Sequence, residues 1–127
     1  MKASQLATKP RQEKVLTLSE VAGYLQEHLG QKLTAFLSGV SDPKTVGRWA
    51  SGKLNPAFTR EVRLRSAYDA ARVIVDEVGD ETARAWFLGT SPFLDYMAPA
   101  VVLHDSNTPG ECRHVVPAAI SFVEGAY

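Results

Sequence analysis

Residues 31–56 read QKLTAFLSGVSDPKTVGRWASGKLNP and carry the strongest structural signal of the chain. Its first part spaces apolar residues as a helix does, and Gly39 follows where a helix C-terminus favours a residue that tolerates left-handed backbone geometry. Ser41 or Asp42 is then expected to cap a second helix, with Pro43 near its first position, where a missing N–H group costs nothing. The stretch therefore predicts two short helices joined by a tight turn.

Three residue types in this stretch match a helix-turn-helix, whose second helix lies in the DNA major groove. Such a motif requires a small residue on the first helix, a glycine in the turn and a buried β-branched residue on the second helix. Ala35, Gly39 and Val46 meet these requirements, although the seven-residue step from Gly39 to Val46 is one longer than usual.

The candidate DNA-binding residues lie on the outer surface of the second helix and in the turn after it. Val46 and Trp49 are expected to face inward, which leaves the polar positions free to reach bases and phosphates. These candidates are Lys44, Thr45, Arg48 and Lys53. The alternative is that they are ordinary solvated residues on a scaffold whose DNA function has lapsed or has passed to a partner.

Helical periodicity continues on both sides of this stretch. Before it, Ser19 is expected to cap a helix that ends at Gly30. After it, residues 62–78 carry a continuous apolar stripe, which predicts the longest helix of the chain. Asp80 is expected to cap the next helix, which runs from Glu81 to Leu88 with Trp86 and Phe87 inward.

The remaining residues predict shorter helices. Ser91-Pro92 and Ala98-Pro99 each predict the start of a short helix, because proline is favoured at the first helical position. A final helix is expected from about Glu111 to Val123, in which Pro117 either kinks the middle or marks a later start. Because no run shows the alternation of a strand, the sequence predicts an all-α fold.

The net charge of the 127-residue chain is zero, but the charges are divided between its halves. Residues 1–65 hold eleven Lys and Arg against five acids, whereas residues 66–127 hold three against nine. A basic half joined to an acidic half indicates a polyanion on one side and a different partner on the other. The alternative is a solvated surface whose charges segregate by chance.

The compartment is expected to be the cytoplasm. The single cysteine, Cys112, cannot form an intrachain disulfide, and the first twelve residues are polar where a signal peptide would be apolar. The longest uncharged stretches are too short to span a bilayer, so no membrane partner is expected. Residues 1–17 are expected to form a flexible arm.

Residues 41–52, SDPKTVGRWASG, resemble the recognition helix of Xre/Cro-type repressors, in which a Trp packs inward and a Gly closes the helix. Residues 60–127 resemble the toxin-binding domain of the Xre/MbcA/ParS antitoxin family. The elements that carry this second resemblance are Arg65-Ser66-Ala67-Tyr68, Trp86, Ser91-Pro92 with Leu94, Pro99-Ala100 with Leu103, and Glu124-Gly125-Ala126-Tyr127.

The resemblance implies a division of the chain and a pair of partners. Residues 18–58 would form an Xre/Cro-like helix-turn-helix bundle that binds operator DNA, and residues 59–127 a small helical toxin-binding domain. The partner would be a RES-class toxin that consumes or transfers from NAD, held inactive by the C-terminal segment at the entrance of its NAD site. The complex would repress its own operon, with the antitoxin as a homodimer inside a toxin–antitoxin hetero-oligomer.

The candidate toxin-binding residues are aromatic, flexible apolar or C-terminal. Aromatic side chains and Met are enriched at interface cores, although in a small domain most such residues are expected to belong to its own core. Tyr127 is the exception, because a terminal aromatic after a glycine cannot easily reach the core of its own chain. The candidates are Tyr96, Met97, Phe122, Glu124, Gly125, Ala126 and Tyr127.

A catalytic role has little support in the sequence. His104, Asp105, Cys112 and His114 lie near one another, but their spacing matches no zinc signature and the chain has no phosphate-cradling glycine loop. We therefore expect a protein that is not an enzyme, without catalytic residues, metal or cofactor. A different class of function also fits the sequence: a stand-alone helix-turn-helix transcription regulator whose C-terminal half only dimerises.

Overall fold

The computed structural model describes residues 15–125, and these are helical with short connections. An isolated antiparallel bridge between Ser91 and Met97 is the one β-type pairing among them, so the prediction of an all-α fold is confirmed. The elements are α1 (Leu18–His28), α2 (Gln31–Ser38), α3 (Lys44–Ala50), α4 (Phe58–Val78), α5 (Asp80–Leu88), a 3-10 turn (Pro92–Leu94), α6 (Pro99–Asp105), α7 (Pro109–Arg113) and α8 (Val115–Val123).

The long helix α4 is the central element of the fold. Its inward face is lined with small and aliphatic residues, which lets the neighbouring helices α1, α2, α5 and α8 pack closely against it. One continuous cluster of buried apolar side chains runs along this face and includes residues from both halves of the chain. The buried residues of α4 are Leu64, Ser66, Ala67, Ala70, Ala71 and Ile74.

Three predicted helix starts differ from the structure. Thr17, and not Ser19, caps α1, because its hydroxyl accepts from the Glu20 amide while the Glu20 carboxylate accepts from the Thr17 amide. Helix α4 begins at Phe58, four residues before the predicted start. Asp80 lies inside α5 rather than at its cap, which is Gly79 at φ +91°.

The side chains of two mispredicted caps serve tertiary contacts instead. The Ser19 hydroxyl donates to the carbonyl of Ala50 at 2.6 Å, which ties α1 to the end of α3. The Asp80 carboxylate lies 2.7 Å from Nδ1 of His28, which ties α5 to the end of α1. In both cases a long-range partner takes the polar group that local reasoning assigned to a helix end.

The C-terminal residues form two helices where the sequence predicted one. Thr108 caps α7 by accepting from the Glu111 amide, and the chain turns at His114 before α8 begins. Pro117 is the third residue of α8, in the first turn, where the lack of an N–H group breaks no hydrogen bond. Of the two alternatives for Pro117, the later helix start is correct.

The Tyr24 hydroxyl is buried and has no hydrogen-bond partner within residues 15–125. Its ring packs against His28 and Tyr68, with centroids 4.2 and 4.9 Å away. Burial, with a smaller contribution from the charge of Asp76, raises the pKa of Tyr24 to about 12. The neutral phenol is therefore favoured in the folded chain.

We expect Tyr24→Phe to raise the stability of the chain by about 1 kcal/mol at neutral pH, because it removes a buried hydroxyl without a partner. The wild-type free energy of unfolding should also fall between about pH 10, where an unfolded tyrosine ionises, and about pH 12. Urea unfolding of both proteins from pH 8 to 11 measures this. A Tyr24→Phe chain that is less stable at pH 8, or that loses as much stability by pH 11, would contradict the burial of this hydroxyl.

Candidate nucleic-acid and protein-binding surfaces

The turn between α2 and α3 is built by backbone hydrogen bonds that depend on Gly39. At φ +92°, Gly39 donates to the carbonyls of Ala35 and Phe36, and Val40 donates to Ala35 at 3.0 Å. The Asp42 carboxylate accepts from the Lys44 amide at 3.0 Å and orders the start of α3. The predicted helix-turn-helix arrangement is therefore present, with residues 39–43 between its helices.

Helix α3 buries two residues in the core and exposes two basic ones. Val46 and Trp49 are buried as predicted, between α3 and its neighbours α1 and α2. Lys44 and Arg48 are exposed, and Thr45 is half-buried. A basic helical surface is thus displayed on a fixed scaffold.

Lys53 extends this surface beyond the helix. Its amide donates to the carbonyl of Arg48 at 2.9 Å, after Gly52 has reversed the chain at φ +79°. Within the described residues, no carboxylate forms an ion pair with Lys44, Arg48 or Lys53. Their charges are therefore available to an external polyanion. We call Lys44, Thr45, Arg48 and Lys53 the α3 surface.

A second surface is formed by residues 91–97, in which two consecutive non-glycine residues adopt positive φ. The angles are +56° at Asp95 and +62° at Tyr96. Buried Ser91 holds the loop, because its carbonyl accepts from the amides of Leu94 and Tyr96 at 3.0 and 2.7 Å and its amide donates to Met97 at 3.1 Å. Left-handed geometry costs a non-glycine residue about 1 to 2 kcal/mol, so this loop is held in an unfavourable conformation.

The strained loop turns its large apolar side chains toward solvent. Tyr96 is 70% exposed, Phe93 52% and Met97 40%, whereas Leu94 is anchored in the core. The expectation that such residues belong mostly to the core is therefore wrong for these three. The loop therefore displays three large apolar side chains from a backbone that is held by hydrogen bonds.

A cavity of about 300 Å³ lies beside this loop. Its walls combine apolar residues with three of the nine acidic residues of the C-terminal half. We call it the acidic cavity; it is lined by Phe93, Leu94, Asp95, Met97, Val102, Asp105, Ser106, Glu111 and His114.

The remaining C-terminal candidates lie on α8, which contacts the 3-10 turn of this loop, or follow α8 in the sequence. Phe122 is half-buried, with its ring centroid 6.3 Å from that of Trp86, so it packs on the chain's own core. Glu124 and Gly125 are exposed after the end of α8. Ala126 and Tyr127 lie outside the described residues, as do residues 1–14 of the predicted arm.

Two of the residues that were candidates for a catalytic or metal site, His104 and Cys112, pack against other parts of the chain. His104 stacks on Phe36 with ring centroids 4.4 Å apart, and its Nδ1 lies 3.0 Å from the carbonyl of Phe36. Cys112 is buried, and burial raises the pKa of its thiol. Among residues 15–125, no three His, Cys, Asp or Glu side chains are grouped so as to hold a metal ion. Nor does this part of the chain contain a helix that is long and apolar enough to cross a membrane.

Two arginines of α4 that the sequence did not predict as site residues donate to the end of α2 and the turn after it, and one of them also reaches the C-terminal half. Arg60 donates to the carbonyl of Gly39 at 3.2 Å, and Arg63 donates to those of Ser38 and Ser106 at 3.0 and 2.7 Å. A signal for Arg63 was present, since it continues the spacing of Ala67, Ala70 and Ile74 along the buried face of α4.

Fold and surfaces together define an all-α protein with a helix-turn-helix in its N-terminal half. A chain of the crystal structure of the M. tuberculosis MbcT–MbcA toxin–antitoxin complex has the same fold. The TM-score is 0.68 at 23% sequence identity, and the alignment covers 89% of this chain and 99% of that chain. No protein-family model matches the sequence, and no curated protein is significantly similar to it.

Proposed function

We propose that this chain is an antitoxin that binds operator DNA through the α3 surface and a protein toxin through its C-terminal half. The observation that carries the proposal is the shared fold, which extends over nearly the whole of a chain from a toxin–antitoxin complex. The exposed basic α3 surface and the strained, aromatic 91–97 loop supply two physically different surfaces for two partners. Residues 18–58 and 59–127 are the corresponding functional halves.

The finer proposal follows the resemblance to the Xre/MbcA/ParS family. The toxin is of the RES class and acts on NAD, and the segment Glu124-Gly125-Ala126-Tyr127 blocks the entrance to its NAD site. Tyr96, Met97 and Phe122 complete the toxin-binding surface. The chain acts as a homodimer in the complex, which represses its own operon in the cytoplasm and needs no cofactor of its own.

Co-expression with the neighbouring gene tests the antitoxin role directly. If the proposal is right, the neighbouring protein alone arrests growth and depletes NAD, and co-expression of this chain restores both. A chain lacking residues 124–127 should still co-purify with the toxin but should no longer protect NAD, because the substrate entrance is reopened. A neighbouring protein that is harmless alone would contradict the antitoxin role.

We expect Arg48→Ala to abolish sequence-specific DNA binding while leaving the binding of the protein partner intact. Arg48 is exposed on α3, and an arginine on a guanine edge provides about 1 to 3 kcal/mol of discrimination. Footprinting of the complex on the DNA upstream of its gene measures the effect.

Lys53→Ala is the matched control for this experiment. If Lys53 contacts only phosphate, its loss should weaken all DNA sequences alike and reduce the salt dependence of binding by about one ion. Equal protection of the upstream DNA by wild type and Arg48→Ala would show that α3 does not read the bases.

The second candidate function is a stand-alone transcription regulator whose C-terminal half dimerises. The exposed apolar side chains of the 91–97 loop favour this function as much as they favour the antitoxin, because a second copy of the chain can bind them as well as a toxin can. A stable dimer of the chain alone that binds DNA, with no effect on any toxic neighbour, would support this alternative over the first.

A further inference from the structure

One guanidinium group joins the helix-turn-helix to the C-terminal half. Nη1 of Arg63 donates to the carbonyl of Ser38, the last residue of α2, and Nη2 donates to the carbonyl of Ser106, directly after α6. The donating arginine is on α4, so three helices meet at a single side chain. The planar fork of arginine fixes the two carbonyls relative to each other.

The charge of Arg63 is balanced by these helix ends rather than by an acid. Within residues 15–125 no carboxylate forms an ion pair with Arg63, and both acceptors lie at helix C-termini, where the backbone dipoles favour a cation. Its Nε is buried without a partner. If either helix end moved away, a further donor would be left unpaired, which is unfavourable in a buried position.

The turn of the helix-turn-helix is adapted to this arrangement. A Cβ atom at Gly39 would collide with the guanidinium group of Arg63, so the glycine provides the space as well as the positive φ. His104, on α6, stacks on Phe36, on α2, and strengthens the same contact. The position of the turn before α3 therefore depends on residues outside the DNA-binding half.

The other end of the connection reaches the proposed partner surface. Ser106 lines the acidic cavity together with Asp105, Phe93 and Met97. It is itself buried, and its hydroxyl donates to the carbonyl of Val102 in α6. A protein bound to the 91–97 loop would thus lie next to Ser106, whose carbonyl accepts from Arg63.

We infer that Arg63 is a positioning residue that couples partner binding in the C-terminal half to DNA binding by α3. The inference rests on the proposed function, since it needs both partners. It adds that binding of the protein partner changes the affinity of the chain for DNA, and that binding of DNA changes its affinity for the protein partner. By thermodynamic linkage the effect must be reciprocal. When the partner binds and the end of α6 shifts, the guanidinium group of Arg63 moves the end of α2 with it. The position of α3, which follows α2 across the turn, then changes as well.

The test measures the dissociation constant for the upstream DNA, by fluorescence anisotropy, with and without saturating protein encoded by the neighbouring gene. For the wild-type chain the two constants should differ by about fivefold or more. In Arg63→Met and Arg63→Lys their ratio should fall toward one, because neither side chain can hold both carbonyls. Arg63→Lys keeps the charge, so it carries the test if Arg63→Met does not fold.

Arg60→Met is the matched control. It removes a second arginine that donates to the same turn, but within residues 15–125 Arg60 hydrogen-bonds to Gly39 and not to Ser106, so the wild-type ratio should persist. A merely structural role of Arg63 would lower DNA affinity equally with and without the partner. An unchanged ratio in both Arg63 variants, or a wild-type ratio of one, overturns the coupling alone. A wild-type chain that binds neither partner would instead refute the proposed function.

Discussion

Trp49→Ala is expected to lower the melting temperature of the whole chain by about 10 °C or more. Trp49 is only 3% exposed and belongs to the one cluster of buried side chains that extends from α1 to α8. Truncating a buried aromatic residue costs about 3 to 5 kcal/mol, because the lost burial is accompanied by a cavity that the neighbours fill only partly. This is a large share of the free energy of unfolding of a small domain, which is about 5 to 15 kcal/mol in total.

The extent of the unfolding is as informative as its temperature. Because the buried cluster is continuous, the near-ultraviolet signal of Trp86 in the C-terminal half and the helical signal should be lost in one transition. Leu88→Ala, at an exposed position, is the control and should leave the melting temperature nearly unchanged. Two separate transitions, with only the first shifted, would show that the two halves fold independently.

The parts of the fold that the sequence predicted are those with local causes. The helix-turn-helix follows from Gly39 in the turn and from the spacing of Ala35, Val46 and Trp49, all within fifteen residues. Pro92 and Pro99 mark helix starts because their rings fix φ and remove a donor that a helix start does not need. The acidic character of the C-terminal half likewise follows from composition, and the structure gathers three of its carboxylates around one cavity.

Two of the residues that the sequence assigned wrongly have partners far away along the chain. Ser19 and Asp80 are good capping residues by type, but Ala50 and His28 take their polar groups. The early start of α4 brings Arg60 within reach of Gly39, a contact between residues twenty-one positions apart. Such pairings depend on tertiary packing, which overrides local preference.

The exposure of the 91–97 loop could not be predicted for a related reason. Phe93 and Met97 are apolar residues in a small domain, and composition alone favours the core for them. The structure instead places Asp95 and Tyr96 in left-handed geometry, which turns the loop outward. No periodicity in the sequence reports a backbone angle of this kind.

Tyr96→Ala is expected to weaken binding of the protein partner by about thirtyfold or more. Tyr96 is 70% exposed, yet its amide is held by a hydrogen bond to the Ser91 carbonyl, so little backbone freedom remains to be lost on binding. Pre-organised aromatic side chains near an interface centre are typical hot spots, which cost about 2 kcal/mol or more when truncated. The dissociation constant for the protein encoded by the neighbouring gene, measured by calorimetry, is the readout.

Stability and binding should respond differently to substitutions at this position. Tyr96→Ala should leave the melting temperature nearly unchanged, because the side chain contributes little to the core, whereas Tyr96→Gly should raise it, since glycine adopts a φ of +62° without penalty. Both variants should bind the protein partner about thirtyfold or more weakly than the wild type does. Phe58→Ala removes an equally exposed aromatic residue from α4 and should retain wild-type affinity. If Tyr96→Ala binds as tightly as Phe58→Ala, the strained loop is not the anchor, and the partner must be held by another surface of the C-terminal half.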